Sequence, residues 1–222
     1  MHKNNTAIVL GATGLIGKYT TEFLVEQDSV EKVIAITRKP TLFSSAKVEN
    51  LVIDFERLND FSSHIKGDVL FSCLGTTKKQ AGSIAAQRIV DLDYQYKVAE
   101  IAVKNGVRRY LLVSSSAANA TSKNAYLLMK GQLEEKVKAL SFEQINIFQP
   151  SLLLGDRNHF RLGEVLGGII LPILCKLPFL QKYRPIKGET VARKMVNVAT
   201  DTRSFQQDRV EYFVLDEIFD ED

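Results

Sequence analysis

TAIVLGATGLIG, residues 6–17, is an apolar run of strand length that leads directly into three spaced glycines. An amphipathic stretch predicted to be a helix, Leu15–Glu26, follows at once. In this context Gly11 permits a tight turn, Gly14 lets the backbone approach a pyrophosphate, and Gly17 lets helix and strand pack closely. The helix N-terminus adds N–H donors and the positive end of a dipole. The stretch therefore predicts a strand–turn–helix unit that binds a dinucleotide, against the alternative of a glycine-rich turn kept for packing.

Short apolar runs alternate with longer amphipathic ones along the rest of the chain. The runs are rich in Val, Ile and Leu with little alternation, which is typical of strands buried on both faces of a parallel sheet. Their order predicts an α/β fold with a doubly wound parallel sheet. The predicted strands are Thr6–Leu10, Lys32–Thr37, Val48–Ile53, Val69–Ser72, Tyr110–Ser114, Ile145–Phe148 and Glu211–Leu215, and the other predicted helices are Ala85–Lys104, Ala125–Leu140 and Thr190–Ala199.

The composition of the sequence changes after Pro150, where glycines and prolines interrupt an apolar segment, Leu162–Leu180. We predict a single domain over residues 1–222, within which about 151–222 form cap elements on the substrate side. The apolar segment has three interpretations: it covers an apolar substrate, touches a membrane surface, or simply packs.

Composition argues against several classes of protein. The 222 residues are 45% apolar, which is enough for a sizeable core and argues against disorder. With 29 basic and 26 acidic residues and no concentrated basic run, we expect no nucleic-acid partner. Cys73 and Cys175 are far apart, and His2, His64 and His159 are scattered, so we expect neither a disulfide framework nor a metal site. We also expect no signal peptide, no transmembrane segment and a cytoplasmic location.

The end of the second predicted strand bears on the choice of nucleotide. NAD binders usually place Asp or Glu there for the ribose 2′-OH, whereas this chain has Arg38 and Lys39. Two cations suit a 2′-phosphate, which arginine binds in a bidentate way. The pair favours NADP(H) over NAD, and the alternative is a solvated basic turn.

Two further strand ends carry candidate cofactor contacts. Asp54 would either accept from the adenine amino group or cap the turn that follows, and the sequence leaves both open. Leu74 and Gly75 belong to the small-residue turn Cys73–Thr77, at the strand end where the nicotinamide-side ribose and phosphates pass. We expect Cys73 to be a buried small side chain rather than a nucleophile, because no histidine lies near it in sequence.

A second group of residues suggests acid–base chemistry. Ser114, Ser115 and Ser116 end the fifth predicted strand, and Tyr126 and Lys130 share one face of the next helix. A positive charge beside a tyrosine favours its phenolate, so Tyr126 would exchange a proton with a carbonyl oxygen that a serine hydroxyl orients. A Tyr-x-x-x-Lys pair alone is a common surface pair, and its place after a serine-ending strand is what favours a function.

Several motifs in order resemble a known family. LGATGLIG, SCLGTT, VRRYLLVSSS and YLLMKGQLE, continued to QPSLLLGDR, resemble the short-chain dehydrogenase/reductase superfamily, and more narrowly its atypical branch, over about residues 6–200. The resemblance implies an NADP(H)-bound Rossmann fold with Ser115, Tyr126 and Lys130 as catalytic residues, and Ser114 or Ser116 as alternatives to the first. It also implies cofactor contacts at Thr13, Gly14, Leu15, Ile16, Arg38, Lys39, Leu74, Gly75, Tyr126, Lys130, Leu153 and Arg161.

Two positions depart from the superfamily pattern. Gln149 stands where many relatives have arginine before a proline, so one cation is missing near the nicotinamide side. Asp93 stands where many have a mid-helix asparagine that supports a proton relay. Both departures bear on turnover rather than on fold or cofactor.

The leading hypothesis is an NADP(H)-dependent oxidoreductase that transfers hydride between nicotinamide and a small carbonyl or alcohol substrate, apolar if Leu162–Leu180 covers the pocket. The alternatives are an NADP(H)-binding, redox-sensing regulatory protein with little turnover, and a nucleotide-sugar epimerase-like enzyme. The basic end of the second strand and the short C-terminal part disfavour the epimerase. We also expect a weak or moderate homodimer through the helices Ala85–Lys104 and Ala125–Leu140, which carry Leu92, Tyr96, Leu127 and Leu133.

Overall fold

The computed structural model describes residues 5–154, 184–201 and 208–219. Its strands are β1 (Asn5–Leu10), β2 (Val30–Thr37), β3 (Val48–Val52), β4 (Val69–Ser72), β5 (Arg109–Val113), β6 (Gln144–Gln149), β7 (Leu153–Leu154), β8 (Ile186–Lys187) and β9 (Val210–Val214). Seven of them form one parallel sheet in the order β3-β2-β1-β4-β5-β6-β9. The short strands β7 and β8 pair separately.

The helices of the described residues are α1 (Gly17–Glu26), α2 (Lys78–Ala81), α3 (Ile84–Arg88), α4 (Gln95–Lys104), α5 (Ala125–Lys138), α6 (Gly188–Thr200) and α7 (Leu215–Phe219). A π-helical turn, Ile89–Tyr94, joins α3 to α4 without leaving helical backbone angles. The predicted helix Ala85–Lys104 is therefore one helix with a widened turn in its middle. Turns of 3₁₀ helix span Phe55–His64.

Helices cover both faces of the sheet. Alternate residues of β1 point to opposite sides, so Ile8 and Leu10 join one apolar cluster, whereas Ala7 and Val9 join another. The first cluster includes Leu92, Val98 and Leu133 from α4, α5 and the π-helical turn, and the second includes Leu24, Val191 and Met195 from α1 and α6. Burial on both faces explains the unbroken apolar runs of the strands, and the predicted doubly wound α/β fold is confirmed.

Two residues of the predicted dimer surface are in the interior instead. Leu92 and Leu133 are fully buried in the chain's own core, so the expectation that they contact a second copy is wrong. Tyr96 and Leu127 are partly exposed. The homodimer stays a prediction that rests on those two residues and on the position of the helices.

The C-terminal part contributes to the main sheet. Strand β9 pairs with β6 at the sheet edge, and α6 packs against α1. The segment Leu162–Leu180 lies outside the described residues. Within the part of the chain that the structure describes, no helix has the length and apolar character needed to cross a membrane.

The glycine loop is held together by close backbone contacts. Gly11 has a φ of +83°, which L side chains rarely adopt. A Cβ on Gly17 would lie 2.1 Å from the carbonyl oxygen of Gly11. Strand β1 and helix α1 can therefore meet this closely only with glycine at position 17.

We expect Gly17→Ala to destabilise the fold by about 3 kcal/mol or more, because the clash is with backbone that cannot rotate away. Gly82→Ala is the control: Gly82, unlike Gly17, has a positive φ, but a Cβ there would have nothing within 4 Å. It should lose only the ~1–2 kcal/mol of left-handed strain. Chemical denaturation measures both, and equal losses would contradict the packing role of Gly17.

Candidate functional site

One continuous groove crosses the carboxyl ends of the strands, at the point where the sheet order reverses between β1 and β4. In open α/β sheets this is the place where ligands bind. Two pockets meet there and share Thr13, Gly14 and the segment Cys73–Thr77. We call them the Arg38 pocket, which contains Arg38, and the Tyr126 pocket, which contains Tyr126.

The shared part of the groove is suited to an anion. Helix α1 begins beside it with no side-chain cap at Ile16 and no acidic residue in its first turn. The N–H of Lys18 is already bonded to the Gly14 carbonyl at 3.1 Å, so what the helix start offers a ligand is mainly the positive end of its dipole. Gly14 lines both pockets, and its missing side chain leaves room for close approach. These features fit the diphosphate of a dinucleotide.

The Arg38 pocket is walled by aromatic and acidic residues. The rings of Phe55 and Tyr94 lie 5.0 Å apart between centroids, and the Tyr94 hydroxyl donates to Glu56. Burial and this carboxylate raise the pKa of Tyr94 to about 12, so it stays a neutral donor. Asp54 lines the pocket while its Oδ1 accepts from the Glu56 N–H at 3.0 Å. The capping role of Asp54 is thus observed, and adenine contact remains a proposal.

The basic residues of this pocket differ in part from those expected. Arg38 lines it, but Lys39 does not and is exposed. The Lys39 carbonyl accepts hydrogen bonds from the hydroxyls of Thr37 and Thr41, which fixes the turn. Lys79 on α2 lines the same pocket. Sequence reasoning missed Lys79 because no spacing rule links that helix to the end of β2.

The Tyr126 pocket contains the expected acid–base group. Tyr126 is 38% exposed, whereas Lys130 is 3% exposed and its Nζ donates to the Val113 carbonyl at 3.0 Å. Ser114 is buried with its hydroxyl bonded to Glu134, so it is not free for a substrate. The Ser115 hydroxyl makes only a 3.4 Å contact, with the neighbouring carbonyl of residue 116, and both residues line the pocket.

Local contacts fix the start of helix α5 and so the direction of these side chains. Asn124 caps the helix by accepting from the N–H groups of Tyr126 and Leu127 at 3.0 and 3.2 Å. A Cβ on Gly131 would lie 2.2 Å from the Ala120 nitrogen, so glycine there lets the preceding loop pass against the helix. Together these contacts hold Tyr126 and Lys130 toward the groove.

The π-helical turn brings a carboxylate to the groove that the sequence did not single out. Asp91 is 1% exposed, and its Oδ1 accepts from the Thr76 N–H at 2.9 Å. Gln87 donates to the Thr76 carbonyl at 3.3 Å. Asp93, which was expected in the relay position, is exposed and does not line either pocket. The extra residue of the widened turn changes which side chain faces inward, and sequence periodicity does not reveal it.

Cys73 lies in the groove but is not poised as a nucleophile. Burial raises the pKa of its thiol to about 12, which outweighs the contact with Thr20 and the charge of Lys130. A thiolate is needed for nucleophilic attack. The side chain acts as a small apolar wall, in agreement with the sequence reasoning.

Most of the predicted site residues meet in this groove. Gly17 lies under the loop instead, Lys39 is outside the groove, and Arg161 is outside the described residues. Those lining the groove are Gly11, Thr13, Gly14, Leu15, Ile16, Arg38, Asp54, Leu74, Gly75, Ser115, Tyr126, Lys130 and Leu153.

Comparison with known proteins agrees with this geometry. A family model described as NAD(P)H-binding matches residues 11–146, which include the glycine loop and the Tyr126–Lys130 pair. The chain belongs to this NAD(P)H-binding family. Proteins similar to this chain include protein HTATIP2 of Rattus norvegicus, 38% identical over 74% of this chain and 69% of the relative. Protein FMP52, mitochondrial, of Eremothecium gossypii is 33% identical over 87% of this chain and 88% of the relative.

Solved structures of similar fold are NAD-binding Rossmann proteins. WbmH of Bordetella bronchiseptica in complex with NAD⁺ superposes with a TM-score of 0.69 at 15% identity, covering 96% of this chain and 76% of that one. UDP-glucuronic acid 4-epimerase of Bacillus cereus in complex with NAD has a TM-score of 0.66 at 14% identity, covering 95% and 77%. At these identities the likeness concerns the fold alone. The cytoplasmic location stays a prediction, since the fungal relative is named mitochondrial.

We expect Asp91→Ala to weaken NAD(P)H binding by about tenfold, because the Thr76 backbone at the edge of the groove loses a charge-assisted hydrogen bond worth ~1.5–3 kcal/mol. Asp93→Ala removes the same charge two residues away at an exposed site and should leave binding unchanged. Fluorescence titration with NADPH measures both. Equal affinities in the two variants would argue against a role for Asp91 in holding the segment Cys73–Thr77.

Proposed function

We propose that the protein is an NADP(H)-dependent oxidoreductase of the atypical short-chain type, acting on a small carbonyl or alcohol. The observation that carries this proposal is the shared pocket of Ser115, Tyr126 and Lys130, which is continuous with the glycine loop at the start of α1. When bound, the nicotinamide supplies or accepts the hydride. The remaining chemistry is a proton transfer that the side chains of the chain can perform.

Tyr126 is suited to be the proton donor and acceptor. It is the most exposed member of the group, so its hydroxyl can reach a substrate carbonyl oxygen in the groove. Proton transfer by a positioned side chain accelerates such reactions by about 10²–10⁴. Ser115 would donate a hydrogen bond to the same oxygen and fix its position.

Lys130 supports both cofactor and tyrosine in this proposal. An ammonium group has three donors, and the Val113 carbonyl uses one of them. The other two would be available to the cofactor ribose and to the Tyr126 hydroxyl. The burial of Lys130 keeps this charge close to the groove and poorly screened by water.

The preference for NADP(H) rests on the cations of the Arg38 pocket. Arg38 follows β2 where a carboxylate would be expected for NAD, and Lys79 lines the same pocket from α2. A guanidinium group binds phosphate in a bidentate geometry, and an ammonium group adds a point charge. These residues support recognition of a 2′-phosphate and disfavour the NAD-retaining epimerase alternative.

We expect Arg38→Ala to weaken NADPH binding by about tenfold or more and to leave NADH binding nearly unchanged, because the lost contact is with the 2′-phosphate alone. Adding Lys39→Ala should have little further effect, since Lys39 lies outside the groove. Arg57→Ala is the control, because Arg57 is exposed and paired with Asp60 away from the groove. Calorimetric titration with NADH and NADPH measures both affinities. An equal loss of affinity for the two cofactors in Arg38→Ala would overturn the proposed contact between Arg38 and the 2′-phosphate.

We expect Tyr126→Phe to lower turnover by about 10²–10⁴ while NADPH binding persists, because only the hydroxyl is removed. The measurement is NADPH oxidation across a panel of aldehydes, ketones and quinones, with Tyr96→Phe as the control on the neighbouring helix. A Tyr126→Phe protein as fast as the wild type would refute the mechanism. A wild type that binds NADPH but turns over nothing would favour the redox-sensing regulatory protein instead.

A further inference from the structure

A buried carboxylate lies one helical turn beyond Lys130, outside the acid–base group described above. Glu134 on α5 is 4% exposed. Its Oε1 accepts from the Ser114 hydroxyl and, at 3.0 Å, from Gln149 Nε2, which also lies 3.3 Å from Oε2. Ser114 and Gln149 stand at the ends of β5 and β6. Glu134 thus ties the helix to the carboxyl ends of two neighbouring strands.

Lys130 and Glu134 hold two adjacent residues of the chain. The Val113 carbonyl accepts from Lys130, and the next residue, Ser114, donates its hydroxyl to Glu134. The Ser114 N–H donates to the Phe148 carbonyl at 2.7 Å, which fixes this peptide in the sheet. Ser114 lies between the Val113 carbonyl that binds Lys130 and Ser115, so a weaker Glu134 contact acts on both neighbours through Ser114.

The surroundings of Glu134 make its charge sensitive to pH. Burial raises the pKa of its carboxyl, opposed by hydrogen bonds from Ser114 and Gln149 and by the charges of Lys138 and Lys130. Both groups that bond to it from the strands are neutral. An arginine at position 149, which is common in the superfamily, would pair with the Glu134 carboxylate. The glutamine of this chain supplies no charge there.

We propose that Glu134 is a positioning residue whose carboxylate form holds Lys130 and Ser115 in place for the cofactor, and whose protonation releases them. This inference rests on the proposed function. The carboxylate only accepts hydrogen bonds, and here its donors are Ser114 and Gln149. Protonation on Oε2 removes the negative charge that strengthens the hydrogen bonds from Ser114 and Gln149, and it places a proton where Gln149 Nε2 makes its 3.3 Å contact, so Ser114 and Gln149 are held less firmly.

The sign of the pH effect follows from the direction of the shift. A carboxyl with a raised pKa takes up its proton at a higher pH than the ordinary value of 4.5. Affinity for the cofactor should then fall as the pH is lowered, and the fall should begin at a higher pH than the protonation of ordinary glutamates would cause. We call this fall in affinity at low pH the acid limb. A neutral side chain at position 134 should remove the part of it that comes from Glu134.

The test is calorimetric titration with NADP⁺, which is stable in acid, from pH 8 to pH 5. We expect Glu134→Gln to bind about tenfold more weakly at pH 8 and to lose the acid limb that the wild type shows. Glu135→Gln is the matched control, because Glu135 is exposed on the same helix and pairs with Lys138. The 2′-phosphate titrates equally in every variant, so the difference between the two variants isolates Glu134.

A second variant tests the same idea without removing the carboxylate. Gln149→Arg should place a cation against Glu134 and favour its charged form, which moves the acid limb to lower pH. An unmoved limb, or a Glu134→Gln protein with the affinity and pH profile of Glu135→Gln, would overturn the role of Glu134. A wild type that does not bind NADP⁺ at any pH would instead refute the proposed function. Thermal unfolding at pH 8 verifies that each variant is folded. If Glu134→Gln does not fold, the pH profile of Gln149→Arg alone tests the role of Glu134.

Discussion

The close contact between Gly17 and the Gly11 carbonyl is the constraint on which the rest of the site depends. It sets helix α1 directly beneath the loop that ends β1, so the helix N-terminus opens onto the sheet edge. Helix α6 approaches the same loop closely, since a Cβ on Gly188 would lie 2.8 Å from Leu15. Two helices on one face of the sheet are thereby brought against one turn, and the groove has a rigid floor.

Much of the fold follows from patterns that are local in the sequence. A parallel strand buried on both faces must be apolar throughout, so β4 matches its predicted bounds of Val69–Ser72, and β1 differs from its prediction by one residue. The glycine loop was equally readable, because strand, turn and helix follow one another without a gap. The order of elements then leaves few topologies, since crossovers between parallel strands are right-handed.

What could not be predicted involves contacts between distant parts of the chain. Asp91 faces the groove because a π-helical turn shifts the helix face, and one extra residue in a turn leaves no mark on apolar periodicity. Glu134 meets Gln149 only because β5 and β6 are neighbours in the sheet. Lys39 lies outside the groove for the converse reason, since adjacency to Arg38 in sequence does not mean that both side chains turn to one side.

The sheet is completed by a strand that is synthesised late. Strand β9 pairs with β6, but residues 150–209 separate the two in the chain. At a translation rate of ~5–20 residues per second, roughly 3–12 s pass before β9 can follow β6 out of the ribosome. During that interval β6 presents unpaired backbone N–H and C=O groups along its edge, a surface that readily pairs with other chains. The glycine loop and the Tyr126–Lys130 pair are already synthesised by then, so the nascent chain is expected to need protection at this edge rather than at the groove.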